Sequence, residues 1–249
     1  MPDQKVMLDQ LTRREFREAL EEGQFQAAII PTGSNEQHLE HLSMEHDIRS
    51  STYVAREAAA RLYPQVIVTV PMAVGISEHH MPHKGTITAK PGSWMAVLFD
   101  AVESLVRHGI KNVLILNGHG GNEAPMAGIL RQWQLYFQSI DPEICVQFHS
   151  YWNLSREIAE QHCKGRVPGH AQEYETAFAL AIFPENVRHD AMQEQEDKQP
   201  LEATAEQGRM LAEAAVTKTV EFVQEMLQGE HREHQPHLFS SQLDMRKAK

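Results

Sequence analysis

Three short stretches carry side chains whose types and spacing suit chemistry on a small molecule. The first is Glu36-Gln37-His38, with Asp47 eleven residues after Glu36. Carboxylate oxygens and imidazole nitrogens are the donors that Zn²⁺ and similar divalent ions take. Residues two apart in extended backbone leave the same face, so Glu36 and His38 can reach one metal pair, and a carboxylate such as Asp47 can bridge two cations. The same spacing also allows a solvated loop in which Asp47 caps the following helix. The second stretch is NGHGGN, Asn117 to Asn122. Its glycines let backbone approach a ligand closely and leave His119 room to turn inward. A phosphate or dinucleotide loop fits poorly, because GHGGN is not G-x-G-x-x-G. A tight turn explains the glycines and leaves His119 unexplained. The third stretch, Gly169 to Thr176 (GHAQEYET), opens an apolar helical run. His170 and Glu175 are five apart and share part of a helix face. Glu173 points elsewhere, as a first-turn acid favoured by the helix dipole, and His170 could equally be a structural cap. Glu175 precedes Thr176-Ala177-Phe178-Ala179-Leu180. An unpaired carboxylate is costly in such surroundings, so a cation or an imidazole partner is expected.

The elements that must position these stretches follow from periodicity and punctuation. Thr12 and Glu15 have capping-box spacing before REFREALEE, which Gly23 stops. Short apolar runs predict strands at Gln26–Ile30, Val66–Val70, Asn112–Leu116 and Ile144–Phe148. Helices are expected from Ser50 or Ser51 to about Leu62, Ser93 to His108, Glu123 to about Phe137, and near Ser155 to His162. A long loop from Met72 to Pro91 carries His79, His80 and His83 as candidates for substrate contact, or as members of a mobile surface loop. Arg188 to Glu206 reads as an exposed polar excursion, and Glu202 to Leu227 as an amphipathic helix returning to the body. Strands alternating with helices predict a mainly parallel sheet covered on both faces. Sites in such sheets lie beyond the carboxyl ends of the strands. The clusters Glu36–Asp47, Ser77–His83 and Asn117–Asn122 each directly follow a predicted strand, so they converge on one edge.

The 249 residues suit one α/β domain, placed at 1–228, with a polar tail at 229–249. Hydrophobic residues make up 41% and charged residues 23%, as in a globular chain with a real core. A net charge of −11 argues against a nucleic-acid surface and against docking on anionic lipid. MPDQKVMLDQLTRREF has no apolar signal-type region, and no run approaches the ~20 residues that span a bilayer. Cys145 and Cys163 form no metal-type pair, so a reducing cytoplasm is the simplest expected setting. Six of the fifteen histidines fall between His38 and His83. A dinucleotide-dependent oxidoreductase would need a glycine fingerprint and an acidic ribose partner, and neither is found.

Taken together, PTGSNEQHLEHLSMEHD, Gly85-Thr86-Ile87-Thr88, LILNGHGGN and GHAQEYET resemble the creatininase (creatinine amidohydrolase) family in order and spacing, from about residue 26 to 187. The resemblance implies a three-layer creatininase-like α/β fold and a centre of two divalent ions, Zn²⁺ and/or Mn²⁺ with Fe²⁺ also admissible. It also implies a small-molecule substrate and a homo-oligomer, hexamers being frequent in the family. By motif position, Glu36, His38, Asp47 and His119 would be metal ligands, with Asp47 bridging, and His170 would match the catalytic histidine. In creatininase itself the loop after the metal-binding histidine carries Tyr and then a Glu that ligates the second metal. Gly120 and Gly121 stand there in this chain, and Glu175 is nominated as the replacement ligand. Gly169 stands where creatininase has an acid before its catalytic histidine. The usual FPGT becomes His83-Lys84-Gly85-Thr86, which makes His80, His83 and Lys84 the candidates for substrate binding. These departures argue against creatinine as the substrate. Members with the NGHGGN form include a formylamide hydrolase of flavin-type biosynthesis and a ring-opening hydrolase of keto-inositols. The implied activity is therefore metal-dependent attack of water on a carbonyl, cleaving a cyclic amide or formamide C–N bond. The alternative is C–C ring opening of a keto-inositol of the 3-dehydro-scyllo-inosose type. A metabolite-binding protein that kept the fold and lost the metals is the reading from a different class.

Overall fold

A computed structural model describes residues 5–233 of the chain. Uninterrupted aliphatic runs form the strands β1 (Ala27–Thr32), β2 (Val66–Val68), β3 (Asn112–Asn117) and β4 (Cys145–Ser150). They pair in parallel in the order β2-β1-β3-β4. The helices are α1 (Arg13–Glu21), α2 (His46–Arg61), α3 (Pro91–Arg107), α4 (Glu123–Ile140), α5 (Tyr151–Leu154), α6 (Arg156–His162), α7 (Glu173–Ile182), α8 (His189–Glu194) and α9 (Ala205–Leu227). Every residue of β1, β2 and β3 is buried, as expected where helices cover both faces of a parallel sheet. Alternate residues feed two cores. Ala27, Ile29, Val66, Leu114 and Leu116 pack with α2, α7 and α9, whereas Ala28, Ile30, Ile67, Val113 and Ile115 pack with α3, α4 and the inner side of α1. The three-layer α/β architecture read from the sequence is the one the chain adopts. Among the described residues, no helix is long and apolar enough to cross a membrane.

Several boundaries differ from the sequence reading, each for a local reason. β1 continues through Pro31 and Thr32. The Pro31 carbonyl accepts from Met72 N–H at 2.9 Å, past the end of β2, so the missing proline N–H faces no ladder partner. α2 starts at His46, not at Ser50 or Ser51, and those hydroxyls donate back to the carbonyls of His46 and Asp47. Asp47 therefore sits in the first turn of α2 and does not cap it. The capping box of Thr12 and Glu15 is present, and a second one, Thr204 with Gln207, starts α9 at Ala205. The 72–91 loop is not featureless. It contains a single 3₁₀ turn, Glu78–His80, and is bridged through Asn35–Ile87 and Gly75–Thr88. The 188–206 segment includes α8 and a 3₁₀ turn, with Met192, Gln195 and Pro200 buried, so it is not wholly an exposed excursion. Of the polar tail, Gln147 on β4 donates to the His231 carbonyl at 2.5 Å; residues 234–249 lie outside the described residues.

One feature of the topology positions the site. β2 adds to one side of β1 and β3 to the other, so the winding reverses between β1 and β3. The loops beyond their carboxyl ends part there and leave a crevice.

Candidate metal centre

The loops after β1 and β3 are locked together at that crevice. Gly118 N–H donates to the Thr32 carbonyl at 2.8 Å. The buried Asn117 accepts from the Thr32 hydroxyl, from Asn122 and from the His119 N–H, and its own amide donates to the His119 carbonyl and to Ser150. Asn122 in turn accepts from the Ile76 N–H at 3.0 Å. The first turn of α2 then comes very near, since a Cβ on Gly118 would stand 2.2 Å from the Asp47 carbonyl oxygen. Gly118 and Gly121 of NGHGGN thus serve close backbone approach, as the sequence suggested, whereas a side chain on Gly120 would meet open space. α7 contributes Glu175 from the opposite wall.

These contacts gather Glu36, His38, Asp47, His119 and Glu175, all at most 4% exposed. Their hydrogen bonds assign the imidazole tautomers. His119 Nε2 lies 3.1 Å from the Ile76 carbonyl, which can only accept, so Nε2 carries the hydrogen. Nδ1, the lone-pair side of the neutral ring, then faces Glu36 Oε1 at 3.2 Å and Asp47 Oδ2 at 3.1 Å. That Asp47 oxygen is off the line of a hydrogen bond and has no partner. His38 repeats the pattern. Its Nδ1 meets the Glu36 carbonyl at 3.1 Å, while Nε2 faces Asp47 Oδ1 at 2.9 Å and Glu175 Oε2 at 3.9 Å. Each imidazole thus turns a lone pair towards two carboxylate oxygens, an arrangement that requires positive charge between them. The donor atoms of His38, Asp47 and Glu175 form one group compact enough for an ion, and those of Glu36, His119 and His79 form another. Asp47 reaches towards both, with Oδ1 at His38 Nε2 and Oδ2 at His119 Nδ1. The chemistry of the set, carboxylate and imidazole with a buried oxygen left over, fits two divalent ions.

With no metal, protons must supply that charge. Burial opposes a charged His38, yet the charges of Asp47, Glu175 and Glu36 outweigh it and push the ring up to about 10. Burial likewise opposes a charged His119, and Asp47 and Glu36 push it up to about 10. Asp47 is buried, but the two imidazoles hold its carboxyl well below the usual range. For Glu175, burial prevails and raises the carboxyl to about 8. Divalent ions held here would therefore have to displace protons from both imidazoles and from Glu175 at neutral pH. Calorimetric titration at neutral pH in buffers of different ionisation enthalpy should show about three protons released on full loading, one from each imidazole and one from Glu175, with apparent affinity falling as pH falls. The sign follows from ring values near 10, because any pH below that leaves protons to be displaced. Loading without proton release would contradict the geometry.

His170 and His80 stand beside this cluster, held by a side chain the sequence reading quoted but did not nominate. Gln37 Nε2 lies 2.8 Å from His80 Nδ1 and 2.8 Å from His170 Nε2, and its Oε1 accepts the Leu39 N–H. The amide orientation is thereby fixed. His170 Nδ1–H and His80 Nε2–H are left pointing to Glu36 Oε1, at 3.8 and 3.6 Å. Burial, reinforced by His38, lowers His170 to about 4 and keeps it neutral. Leu39 and Ala171 take left-handed φ of 53° and 51°, the latter aiming its N–H at Glu175 Oε2 at 2.5 Å. Ser77, fully buried, donates to Glu36 Oε2 at 2.6 Å and lies 3.1 Å from His119 Nε2, with Ser34 behind it at 2.5 Å. Neither Gln37 nor Ser77 has a spacing signature that sequence reasoning could use. Asn117 and Asn122 bracketed the glycines in plain sight.

A cavity of about 990 Å³ opens over the centre, with Glu36, Asp47, Glu175, His80, His119 and His170 among its lining residues. Of the other residues nominated for substrate contact, His79 also lines it, whereas His83 and Lys84 are not brought to it. His83 lines a separate hollow beyond Gln37, with Glu40 and Asp197, and Lys84 is exposed and lines neither.

The model of the creatininase (creatinine amidohydrolase) family matches residues 9–202. A mycofactocin precursor peptide peptidase of Mycobacterium ulcerans is 33% identical over 111 residues, covering 42% of this chain and 44% of its own. A 3-dehydro-scyllo-inosose hydrolase of Thermotoga maritima is 27% identical over 184 residues, 72% of this chain and 57% of its own. The match thus spans about half the length of these two curated relatives. The manganese form of creatininase superposes with a TM-score of 0.77 at 20% identity, over 90% of this chain and 99% of that one, which establishes a shared fold.

Proposed function

The chain belongs to the creatininase family, and from that premise we propose that it is a metal-dependent hydrolase that attacks a carbonyl of a small polar molecule and cleaves a cyclic amide or formamide C–N bond. The observation that carries this reading is the pair of imidazole lone pairs, each aimed at two carboxylate oxygens, with both sets joined by Asp47. Glu36, His119 and Asp47 would hold one ion, and His38, Asp47 and Glu175 the other. Bound there, Zn²⁺ or Mn²⁺ would supply an acidified water and charge to polarise the carbonyl.

The chain's own residues do the rest. Glu36, fixed through Oε2 by Ser77, keeps Oε1 turned into the cavity. His170 presents Nδ1–H to the same space, where it can hydrogen-bond to the oxyanion that develops as the carbonyl is attacked. Its Nε2 can take the proton that the attacking water gives up only by leaving Gln37, after which the ring can pass that proton to the departing nitrogen. His170→Ala is expected to lower kcat by about 10²–10⁴-fold while bound metal stays unchanged. Paired kinetics and elemental analysis check this, and equal loss of metal and turnover would assign His170 to the metals instead.

A second reading, ring opening of a keto-inositol, is favoured by the longer match to the inosose hydrolase. A stabilised enolate would then leave, and no proton on nitrogen would be needed. Screening the Mn²⁺- or Zn²⁺-loaded protein against lactams, formamides and keto-inositols decides between the two. A metal-free protein that binds a metabolite at full strength and turns nothing over would support a binding protein and defeat both.

A further inference from the structure

The cavity extends from the candidate metal centre to a rim built by the start of α6 and the loop between α6 and α7, which bring three cations to its wall: Arg156 from the helix, and Lys164 and Arg166 from the loop. Two are already committed. Arg156 bonds Asn153, Glu160 and the Val167 carbonyl, and Lys164 pairs with Glu202 at 2.5 Å. Among the acids of the wall, Glu160 is paired with Arg156, and Glu123 accepts from Ser150 and Asn153. Arg166 has no hydrogen bond and no ion pair among the described residues; the exposed residue lines the cavity and also the adjoining hollow that Glu173 and Glu202 border, and both of those acids are held by other partners.

The backbone that carries it is held on both sides. Glu173, 3% exposed, uses Oε2 to accept the N–H groups of Lys164 and Gly165, both at 2.8 Å, and Oε1 to accept from Gln207. Arg156 holds the Val167 carbonyl at 3.0 Å on the other side. Arg166 thus sits between two anchored neighbours, four residues before His170, and little backbone freedom is lost when it engages a ligand. A guanidinium with all its donors free matches a carboxylate or phosphate bidentately. A cavity of about 990 Å³ also has room for much more than a creatinine-sized ring.

The geometry points to Arg166 as a specificity residue, recognising an oxyanion, carboxylate or phosphate, that the substrate carries at the end remote from the carbonyl under attack. This rests on the hydrolase reading above and narrows its substrate class to anionic acyl compounds large enough to span from the ions to the rim.

Hydroxamates grip divalent ions, so a hydroxamate carrying a carboxylate on a chain of increasing length measures the reach to the rim. The full-length, metal-loaded protein is titrated calorimetrically with acetohydroxamate, with the ω-carboxylate series and its methyl esters, and with a matching phosphonate series. Binding by at least one chain length of either oxyanion about tenfold tighter than its uncharged counterpart, with the advantage lost in Arg166→Gln, is the expected result; the preferred series identifies the anion. The proposal is overturned if no length gains from the charge, or if the gain survives in Arg166→Gln. If acetohydroxamate itself fails to bind, the metal reading of the centre falls first and this inference falls with it. An intact metal content and an unchanged melting temperature of Arg166→Gln show that its loss of preference is local.

Discussion

His119→Ala will abolish turnover and remove about one ion per chain, leaving the secondary structure as it is. The imidazole is one of three donors that face a common point with Glu36 Oε1 and Asp47 Oδ2, at 3.2 and 3.1 Å, and an alternative nitrogen among the described residues is that of His79, within 4.8 Å of donor atoms of Glu36 and His119. His79 comes nearest in kind, but it stacks parallel to His119 at 5.8 Å between centroids and is exposed. Without the ring, two buried carboxylates confront each other across a gap, a cost that falls on the ion and on whatever proton would replace it. The loop itself should survive, because Asn117 and Asn122 clamp its backbone. Far-UV circular dichroism, elemental analysis and a turnover assay on one preparation test all three parts. A variant with normal turnover would remove His119 from the centre.

Asp47→Asn is expected to cost more metal than any other single change at the site. One oxygen of Asp47 faces His38 at 2.9 Å and the other faces His119 at 3.1 Å, so the residue serves both ion positions at once. An amide keeps the shape but offers a single acceptor oxygen, and its NH₂ repels a cation. Both ions should therefore weaken, with turnover falling by about 10³-fold or more if each ion contributes several kcal/mol to the barrier. Glu175→Gln supplies the contrast, since of the two imidazoles that carboxylate faces His38 alone. The apoprotein gives an independent readout. Asp47 helps raise both imidazoles to about 10, so its loss should lower both and shrink the protons released on loading. An Asp47→Asn protein that holds two ions at wild-type affinity would dissolve the bridging assignment.

The sequence made part of this site visible because donors sit in short motifs directly after strands, and the sheet topology then has only one place to put them. Glu36, His38, Asp47 and His119 were legible for that reason. Glu175 was legible for another: an acid entering an apolar helix must find a partner. The α2 boundary was misread because Ser50 and Ser51 resemble caps, whereas their hydroxyls bond back into the helix and Asp47 spends its side chain on His38. His83 and Lys84 were nominated because they stand where the resembled family has FPGT, but the chain turns through Glu78–His80, and His83 lines a hollow beyond Gln37 while Lys84 is exposed. Gln37 and Ser77 were silent. A neutral amide or hydroxyl looks the same on a surface as it does when it fixes a tautomer or holds a carboxylate, and only contacts tell the two apart. Arg166 lies in an irregular loop, where no period reports which way a side chain faces.

The winding reversal between β1 and β3 sets a timetable for the protein's synthesis. The donors arrive on the loop after β1, on α2, on the loop after β3 and finally on α7, whose Glu175 emerges from the ribosome long after the rest. A nascent chain can offer an ion only a few scattered ligands, so a complete set exists only once α7 has docked. On the hydrolase reading proposed above, choice of metal would therefore fall to the finished molecule, drawing on whatever ions are free where it folds.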